Sequence, residues 1–308
     1  MTQLHTYSYP LHIIDEQSYG RIQMRGADSL ALLQRLTTND MLKLQPSTGC
    51  QTVLTTPIGR MMDVLHVVND GDVVWVLTSR DQGPAVYTHL KKNIFFNDKV
   101  TLAPAGRSHN QIALYGTHAT AWLESQYGVS LAQVPMWHAH IHDGVMFVRV
   151  AAVGGDGWRI LLPSDGAHAA ALHSLPVLTD ADFQCWQIEA GVPAFGAELT
   201  LDYIPLEAGL WSAISFTKGC YVGQEIIARM ESRGRLAKTL TRVRLSQPHA
   251  TPASITTTDG KEAGVLTRMA ESPRYGHIGL AYLSTKIDGS EPLSVNGDTV
   301  VRCDEHWQ

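Results

Sequence analysis

The sequence predicts an α+β fold that consists of two similar halves followed by a small all-β tail. Two stretches within the first 180 residues show the same order of elements: strand, helix, two strands and helix. Short runs of alternating apolar and polar residues from Leu240 onward are typical of strands and predict the tail. With 308 residues, the chain is long enough to bury a core without disulfides or a structural metal.

A glycine marks the end of the first strand in both halves. In the first half, a strand ends at Gly26, and the helix after it carries Leu30, Leu33 and Leu36 on one face. In the second half, a strand ends at Gly116 and a helix follows. The other elements predicted for the first half are strands at 64–68 and 73–77 and a helix capped by Ser79 or Asp81. Those predicted for the second half are strands at 145–150 and 159–162 and a helix capped by Ser164 and Asp165.

The segment between the second half and the tail has a different composition. Residues 183–235 are rich in glycine, proline and aromatic residues and show few long periodic runs. Such irregular segments on a rigid frame often carry functional sites. The tail then begins with a strand at 240–245 and continues, after a loop at 247–258, with an Asp259-Gly260 hairpin turn. Further strands are predicted at 263–268, 277–283 and 298–302, which together indicate a barrel or a sandwich.

Composition and charge exclude several classes of protein. Hydrophobic residues make up 44% of the chain and charged residues 17%, which excludes disorder and collagen-like structure. The net charge of −5 gives no overall basic field for binding nucleic acid. No apolar run approaches the ~20 residues of a membrane span, and residues 1–17 lack the layout of a signal peptide. We therefore expect a cytoplasmic protein with no membrane partner.

The cysteines indicate neither a metal site nor a disulfide framework. They lie far apart in the sequence, at Cys50, Cys185, Cys220 and Cys303, and none belongs to a C-x-x-C pair. Zinc ribbons and iron–sulfur cages usually take paired ligands from short loops, so no metal site is predicted. A disulfide framework is not expected in a cytoplasmic chain of this size. Any sulfur chemistry should therefore depend on one thiol.

Cys220 is the candidate for that thiol. Gly219 and Gly223 bracket it, and a helical stretch at 225–231 follows. Glycines permit positive φ, and the free N–H groups at the start of a helix favour a thiolate. Lys218, two residues before the cysteine, adds a positive charge, so we expect Cys220 to be acidic and reactive. The alternative is a small buried cysteine that fills a gap beside a turn.

The run Lys218-Gly219-Cys220-Tyr221-Val222-Gly223-Gln224-Glu225 resembles the K-G-C-Y-x-G-Q-E signature of the YgfZ-type folate-binding proteins. These are relatives of the glycine-cleavage T-protein (aminomethyltransferase) that act in iron–sulfur enzyme maturation and have been linked to tRNA modification. Three further runs are similar to elements of that family: T-N-D within 36–40, T-P-x-G-R within 55–60 and I-E-A-G-x-P at 188–193. The resemblance covers nearly the whole chain and is weakest in the tail.

The resemblance implies a fold and a domain division. The family fold is a T-protein-like domain of two duplicated α+β halves around a central hole where folate sits, followed by a small β-barrel. In this chain the folate-binding domain would span 1–237, with halves of about 1–107 and 108–237, and the barrel would span 238–308.

The resemblance also implies tetrahydrofolate, or a one-carbon derivative of it, as the cofactor. Glu189 would grip the pterin, because a carboxylate can accept hydrogen bonds from its N3–H and 2-amino group together. The alternative for Glu189 is a glutamate at a helix end that meets the backbone or an arginine. Candidate ring partners are Trp186, Tyr203, Trp211 and Tyr221, and candidate contacts of the glutamate tail are Arg229 and Lys218. Asn39 and Asp40 would contact the cavity, or else Asn39 would cap a helix in the left-handed conformation.

Three functions remain open at this point. The first is a folate-dependent accessory protein in the assembly or repair of iron–sulfur enzymes, with Cys220 and Lys218 at its chemical centre. The second is an aminomethyltransferase, and the third is a folate-binding module without chemistry. The expected partners are folate and iron–sulfur assembly proteins or client enzymes, without direct nucleic-acid binding. We interpret the basic stretch Arg229, Arg233, Arg235, Lys238, Arg242 and Arg244 as a solvated face or a folate-tail contact.

Overall fold

In a computed structural model of the chain, the strands form two five-stranded sheets and one closed barrel. The structure describes residues 9–166 and 168–303, and for Arg233 the backbone alone. The first eight residues of the predicted folate-binding domain, Ala167, and the last five residues of the predicted barrel domain lie outside the described residues.

The first sheet has the strand order β3-β4-β5-β2-β6. Its strands are β2 (Tyr19–Arg25), β3 (Thr48–Thr55), β4 (Met61–Asn69), β5 (Val74–Arg80) and β6 (Thr101–Pro104). Two helices accompany it in the sequence, α1 (Ser29–Leu36) and α2 (Gly83–Lys92). Gln82 is the N-cap of α2, and Pro84 lies in its first turn. The prediction that Ser79 or Asp81 caps this helix is therefore wrong.

The second sheet has the order β1-β7-β10-β9-β8. Its strands are β1 (His12–Asp15), β7 (His109–Gly116), β8 (Ala139–His142), β9 (Val145–Val150) and β10 (Asp156–Pro163), and its helices are α3 (Ala119–Tyr127) and α4 (Ala170–His173). Phe147, Trp158 and Leu123 are fully buried in its core. The predicted cap residues Ser164 and Asp165 lie in a turn, and α4 is a single turn that begins later.

The predicted repeat is confirmed in its order of elements. The first half runs β2, α1, β4, β5, α2, and the second half runs β7, α3, β9, β10, α4. Gly26 directly follows β2 and Gly116 is the last residue of β7, and both have positive φ, +113° and +145°. A side chain at either position would also collide with the neighbouring backbone, which explains why both halves have glycine there.

The tail is a closed six-stranded barrel, which decides between the two predicted forms. Its strand order is β11-β14-β13-β12-β15-β16, and β16 pairs with β11 to close it. The strands are β11 (Lys238–Leu245), β12 (Ala253–Thr257), β13 (Glu262–Ser272), β14 (Gly276–Ser284), β15 (Leu293–Val295) and β16 (Asp298–Cys303). The predicted Asp259-Gly260 turn joins β12 to β13, with Gly260 at φ +82°. β12 lies inside the segment predicted as a loop.

Two helices overlap the segment 183–235: α5 (Asp180–Ala190), which was not predicted, and α6 (Gln224–Arg233), which contains the predicted helical stretch 225–231. α5 packs on β13 and β14, and its Ile188 is buried against Ile278 and Leu280. Among the described helices, none combines the length and the apolar character needed to cross a bilayer.

The chain divides into two compact units. Of the residues that the structure describes, the first unit comprises those within 9–29, 43–50 and 66–179, and the second those within 30–42, 51–65 and 180–303. The second unit therefore contains the barrel together with α5, α6 and every candidate site residue named above. The predicted domain boundary coincides with the first residue of β11, and the division at that point stays a prediction.

Candidate functional site

Lys218 lies buried at the carboxyl end of α1. Its Nζ donates hydrogen bonds to the backbone oxygens of Gln34, Thr37 and Asn39 at 2.8, 2.7 and 2.7 Å. A helix leaves its last carbonyl oxygens without partners, and its dipole favours a cation at that end. All three protons of the ammonium group are thus used, so Lys218 holds its loop onto the end of α1.

A second anchor follows four residues later, at Val222. Its backbone N–H donates to the oxygen of Arg35 at 3.1 Å, and its carbonyl oxygen accepts from the Thr55 hydroxyl at 2.6 Å. The segment 218–222 is therefore fixed at both ends, to α1 and to the end of β3. Cys220 lies midway between the two anchors.

Gly223 directs the chain from this loop into α6. It is the N-cap residue of α6 and has φ +84°. A Cβ at this position would lie 2.6 Å from the oxygen of Thr56 and 3.0 Å from the Cα of Gly59. The glycine of the signature thus allows the loop to pack directly on residues 55–60, the run that resembles the T-P-x-G-R element. The helix begins at Gln224, one residue before the predicted start.

The four cysteines differ in exposure. Cys220 is exposed, Cys50 is half-buried, and Cys185 and Cys303 are buried. Burial, together with the carboxylates of Glu189 and Asp182, raises the pKa of the Cys185 thiol to about 12. Exposure of Cys220 contradicts the alternative of a buried, gap-filling cysteine. Its predicted acidity stays a prediction.

Asn39 ties three segments of the second unit together. Its Nδ2 donates to the oxygens of Gln51 at 2.9 Å and Ser212 at 3.1 Å, and its Oδ1 accepts from the N–H of Asp40 at 2.9 Å. Asn39 is not among the described residues with positive φ, so it does not form the left-handed helix cap that was the alternative. Asp40 accepts from the Gln34 side chain at 3.1 Å.

Trp211 presents an accessible ring beside the anchored loop. Trp211 is 47% exposed and Phe216 is 41% exposed. The centroids of their rings lie 6.2 Å apart. Trp211 precedes Ser212, whose carbonyl is held by Asn39, and Phe216 lies two residues before Lys218. Phe216 was not a predicted ring partner, and only its position next to the signature could have indicated it.

The other predicted aromatic residues are less accessible. Tyr203 is buried and stacks on Tyr282 with ring centroids 3.5 Å apart. Tyr221 is buried with Ile204 and Ile227, and burial raises its pKa to about 12. Both rings therefore form part of apolar cores, which argues against a ligand-facing role. Trp186 is half-buried on α5.

Glu189 is buried at the end of α5 and bonded to the barrel. Its Oε1 accepts from the Ser272 hydroxyl at 2.5 Å, and its Oε2 lies 3.8 Å from Nη1 of Arg274. Its carbonyl oxygen accepts from Nη1 of Arg242 at 3.4 Å. These are the contacts expected from the alternative interpretation, a glutamate at a helix end that meets arginines. A role of Glu189 toward a pterin stays a prediction.

Arg229 lies exposed on α6, where a ligand's anionic group has access to it. No group of three or more His, Cys, Asp or Glu side chains with metal-binding geometry occurs among residues 9–166 and 168–303.

Sequence reasoning missed two buried ion pairs. In the second unit, Arg268 lies 2.9 Å from the fully buried Glu198. In the first unit, Arg159 binds Glu16 with nitrogen–oxygen distances of 2.6 and 3.0 Å. The partners are far apart in the sequence and belong to no motif, so no local signal could have identified them.

Comparison with known proteins identifies the family. The family model described as the GCVT N-terminal domain matches residues 8–218. The chain belongs to this family. The predicted relationship to the aminomethyltransferases is thereby confirmed at the level of the GCVT family.

Relatives of known name support the same family. A chloroplastic putative transferase of Arabidopsis thaliana is 31% identical over 281 residues, which cover 88% of this chain and 65% of the plant protein. The chain therefore spans about 65% of the length of that relative. An aminomethyltransferase of Oceanobacillus iheyensis is 23% identical over 294 residues, covering 88% of this chain and 78% of that protein. An aminomethyltransferase of Desulfitobacterium hafniense is 27% identical over 276 residues, covering 85% and 75%.

A solved structure confirms the predicted fold class. The glycine cleavage system aminomethyltransferase T from Bartonella henselae matches with a TM-score of 0.84 at 18% identity. The match covers 98% of this chain and 87% of that chain. The GCVT-family chain thus has the T-protein fold, with its α+β part and its C-terminal barrel.

Proposed function

We propose that this GCVT-family protein binds tetrahydrofolate and acts as an accessory protein in the assembly or repair of iron–sulfur enzymes, with Cys220 as its reactive thiol. The observation that supports this most is the exposure of Cys220 on a loop anchored at residues 218 and 222. A thiol on such a loop meets an incoming group in one position, so little ordering is needed when it reacts.

Cys220 has the chemistry of a ligand for iron. Iron–sulfur clusters are held by several thiolates, so one cysteine shares a cluster with a partner protein or a small thiol. On binding, the Cys220 sulfur loses its proton to solvent and replaces one ligand of an iron atom, without a change in oxidation state. Lys218 then acts as a positioning residue, because its three protons are used by the backbone.

The residues present fit a folate in part. The accessible ring of Trp211 suits the stacking of a flat ring, and the exposed Arg229 suits the carboxylates of a glutamate tail. Glu189 suits the donors of a pterin, but a ligand there has to compete with Ser272 and Arg274 for its carboxylate. Bound folate would supply a carrier for a one-carbon unit. The buried Tyr203 and Tyr221 and the bridging Asn39 and Asp40 are better suited to holding this frame.

We place the function in the cytoplasm and expect any effect on tRNA modification to be indirect, through modifying enzymes that contain clusters. The net charge of −5 supports this interpretation, because it gives no overall attraction to nucleic acid. Tight binding of tRNA by the pure protein at physiological salt would contradict it.

Titration of the purified protein with tetrahydrofolate and with its 5-formyl and 5,10-methylene forms tests the cofactor. We expect saturable binding to the wild type, a loss of at least about tenfold in affinity for Trp211→Ala, and a similar loss for Glu189→Gln. Tyr87→Ala, a half-buried aromatic of the first unit, is the matched control and should bind as the wild type. Absence of saturable binding to the wild type would contradict the proposed cofactor.

Aminomethyl transfer is the second candidate, favoured by the names of the relatives from Oceanobacillus iheyensis and Desulfitobacterium hafniense. Release of ammonia from an aminomethyl-lipoyl carrier in the presence of tetrahydrofolate would establish it. A folate-binding module without chemistry is the third, and complete functional rescue by Cys220→Ala would leave only this one.

A further inference from the structure

A hydrogen-bonded turn in the first unit presents two phenylalanines to solvent. It follows α2 and is closed by two hydrogen bonds between Phe95 and Asp98: the Phe95 N–H donates to Oδ2 at 2.8 Å, and the Asp98 N–H donates to the Phe95 oxygen at 3.0 Å. Phe96 and Asn97 therefore form the outermost part of the turn. Phe96 is 103% exposed and Phe95 is 57% exposed. We call residues 95–97 the phenylalanine tip.

Positively charged residues flank the phenylalanine tip in the sequence and on an adjacent segment of the chain. Lys91 and Lys92 end α2 before it, and Lys99 follows it; all three are exposed. Arg25, also exposed, is close by, because the chain at Gly26 packs directly on the backbone of Lys99. This concentration of positive charge is local, since the whole chain carries a net charge of −5.

The carboxylates of Asp98 and Asp28 accept hydrogen bonds from backbone N–H groups of the turn. Asp98 accepts from the N–H of Phe95 at 2.8 Å, and Asp28 accepts from the N–H of Lys99 at 2.8 Å. Both acids thus help to fix the turn, while the four cations extend into solvent. The turn is held to the first unit by the hydrogen bond between Lys99 and Asp28.

We propose that the phenylalanine tip inserts into the surface of an anionic lipid bilayer, with Lys91, Lys92, Lys99 and Arg25 at the level of the headgroups. Exposed aromatic residues flanked by lysines are the combination that binds the interface of a membrane. The rings gain by leaving water, and the cations are attracted to acidic lipids. A bilayer surface also matches a protruding tip, because it receives the rings without needing a preformed pocket.

This contact involves no membrane-spanning segment. It therefore departs from the expectation of no membrane partner but agrees with the sequence in requiring no apolar segment that crosses a bilayer. One small apolar tip with four cations gives reversible binding, because stable anchoring needs more buried apolar area. Binding should therefore require both the rings and the charges, and it should weaken as salt screens the charges.

Co-sedimentation of the full chain with vesicles tests the proposal. The probes are vesicles of phosphatidylcholine alone and of phosphatidylcholine with about a third of phosphatidylglycerol, at low salt. We expect sedimentation with the anionic vesicles at least about tenfold above that with the neutral ones. The variants Phe96→Ser and the triple change Lys91→Gln, Lys92→Gln, Lys99→Gln should each lose most of it. The control Val177→Ser removes another exposed apolar side chain, 64% exposed in the same unit, and should sediment like the wild type.

Three results would overturn the proposal: no sedimentation with anionic vesicles at low salt, equal sedimentation with both kinds of vesicle, or unchanged sedimentation of Phe96→Ser. The first would leave the tip available for an acidic protein partner instead. Circular dichroism of each variant confirms that it is folded, so that a loss of binding is not a loss of structure.

Discussion

Lys218 was predicted to take part in the chemistry of Cys220, but its hydrogen bonds hold the loop in place. Replacing it with methionine keeps the apolar stem but leaves the carbonyl oxygen of Gln34 in α1, and those of Thr37 and Asn39 just after α1, without this donor. Leaving buried polar groups unsatisfied is costly, so we expect Lys218→Met to lower the free energy of unfolding by about 2 to 4 kcal/mol in urea titrations.

Lys261→Met is the matched control for this change. Lys261 pairs with Asp259 at the surface, where its side chain is 73% exposed and solvent screens the pair, so its loss should change the free energy of unfolding far less than the loss of Lys218 does. Equal effects of the two substitutions would show that the three hydrogen bonds of Lys218 do not hold the loop.

Gly223 gives a second prediction for a single residue. In Gly223→Ala, the new methyl group meets the oxygen of Thr56 and the Cα of Gly59, which are backbone atoms and cannot turn away. Gly234→Ala at the other end of α6 is the control, because its φ is +57° but nothing lies within 4 Å of its Cβ. Both variants incur the cost of a left-handed backbone, about 1 kcal/mol, and only Gly223→Ala adds a collision worth about 1 to 3 kcal/mol. Thermal unfolding of both variants measures the difference, and equal melting temperatures would contradict the packing described.

Cys185 makes stability depend on pH. In the folded protein its pKa is raised to about 12 by burial and by Glu189 and Asp182, whereas a cysteine in an unfolded chain titrates near ~8.5. Between these values the unfolded state has released a proton that the folded state still holds, so stability falls as the pH rises. We expect the urea midpoint to fall less between about pH 8 and about pH 10 in Cys185→Val than in the wild type. Parallel curves for the two proteins would contradict this assignment.

At the scale of elements, the repeated pattern was predictable because it depends on local signals. The apolar face of α1, the runs of β4 and β5 and the glycines at the ends of β2 and β7 are each visible within a few residues. β1 and β12 are short and lie in segments without clear alternation, and α5 has apolar residues on several of its sides. Their positions depend on tertiary contacts, such as the pairing of β1 with β7, which a local pattern cannot show.

The buried ion pair of Glu16 and Arg159 joins elements that the sequence keeps far apart. Glu16 follows β1 and Arg159 lies in β10, and Nη1 of Arg159 also donates to Nδ1 of His66 at 2.9 Å. Burial, and then the charge of Arg159, lower the pKa of His66 well below its usual value, which keeps the imidazole neutral as an acceptor. Glu16→Gln leaves the arginine buried without its counter-charge, and we expect a loss of about 3 to 5 kcal/mol in urea unfolding.

The double variant Glu16→Leu, Arg159→Met removes both charges and is the control for that prediction. It should be closer in stability to the wild type than Glu16→Gln is, because no unpaired charge remains buried. A double variant that is less stable than Glu16→Gln would contradict this. It would show that the ion pair itself stabilises the first unit, and that the cost of Glu16→Gln does not come from an unpaired buried charge.

At the scale of the whole molecule, the candidate site could be predicted only in part. The signature around Cys220 is local, and so its glycines and the start of α6 were predictable. The convergence of 36–40, 55–60 and 218–225 was not, because it is made by hydrogen bonds such as that of Thr55 to Val222 between residues far apart in the sequence. The exposed ring of Trp211 and the buried rings of Tyr203 and Tyr221 likewise differ only in their packing.

The proposed function depends on an accessible sulfur at position 220. The most direct test is the activity of iron–sulfur enzymes under oxidative stress in cells that lack the chromosomal copy and carry either the wild-type chain or Cys220→Ala. We expect the wild type to restore this activity and Cys220→Ala to fail, while the purified variant remains folded and binds tetrahydrofolate with unchanged affinity. Full restoration by Cys220→Ala would contradict the role assigned to the exposed thiol.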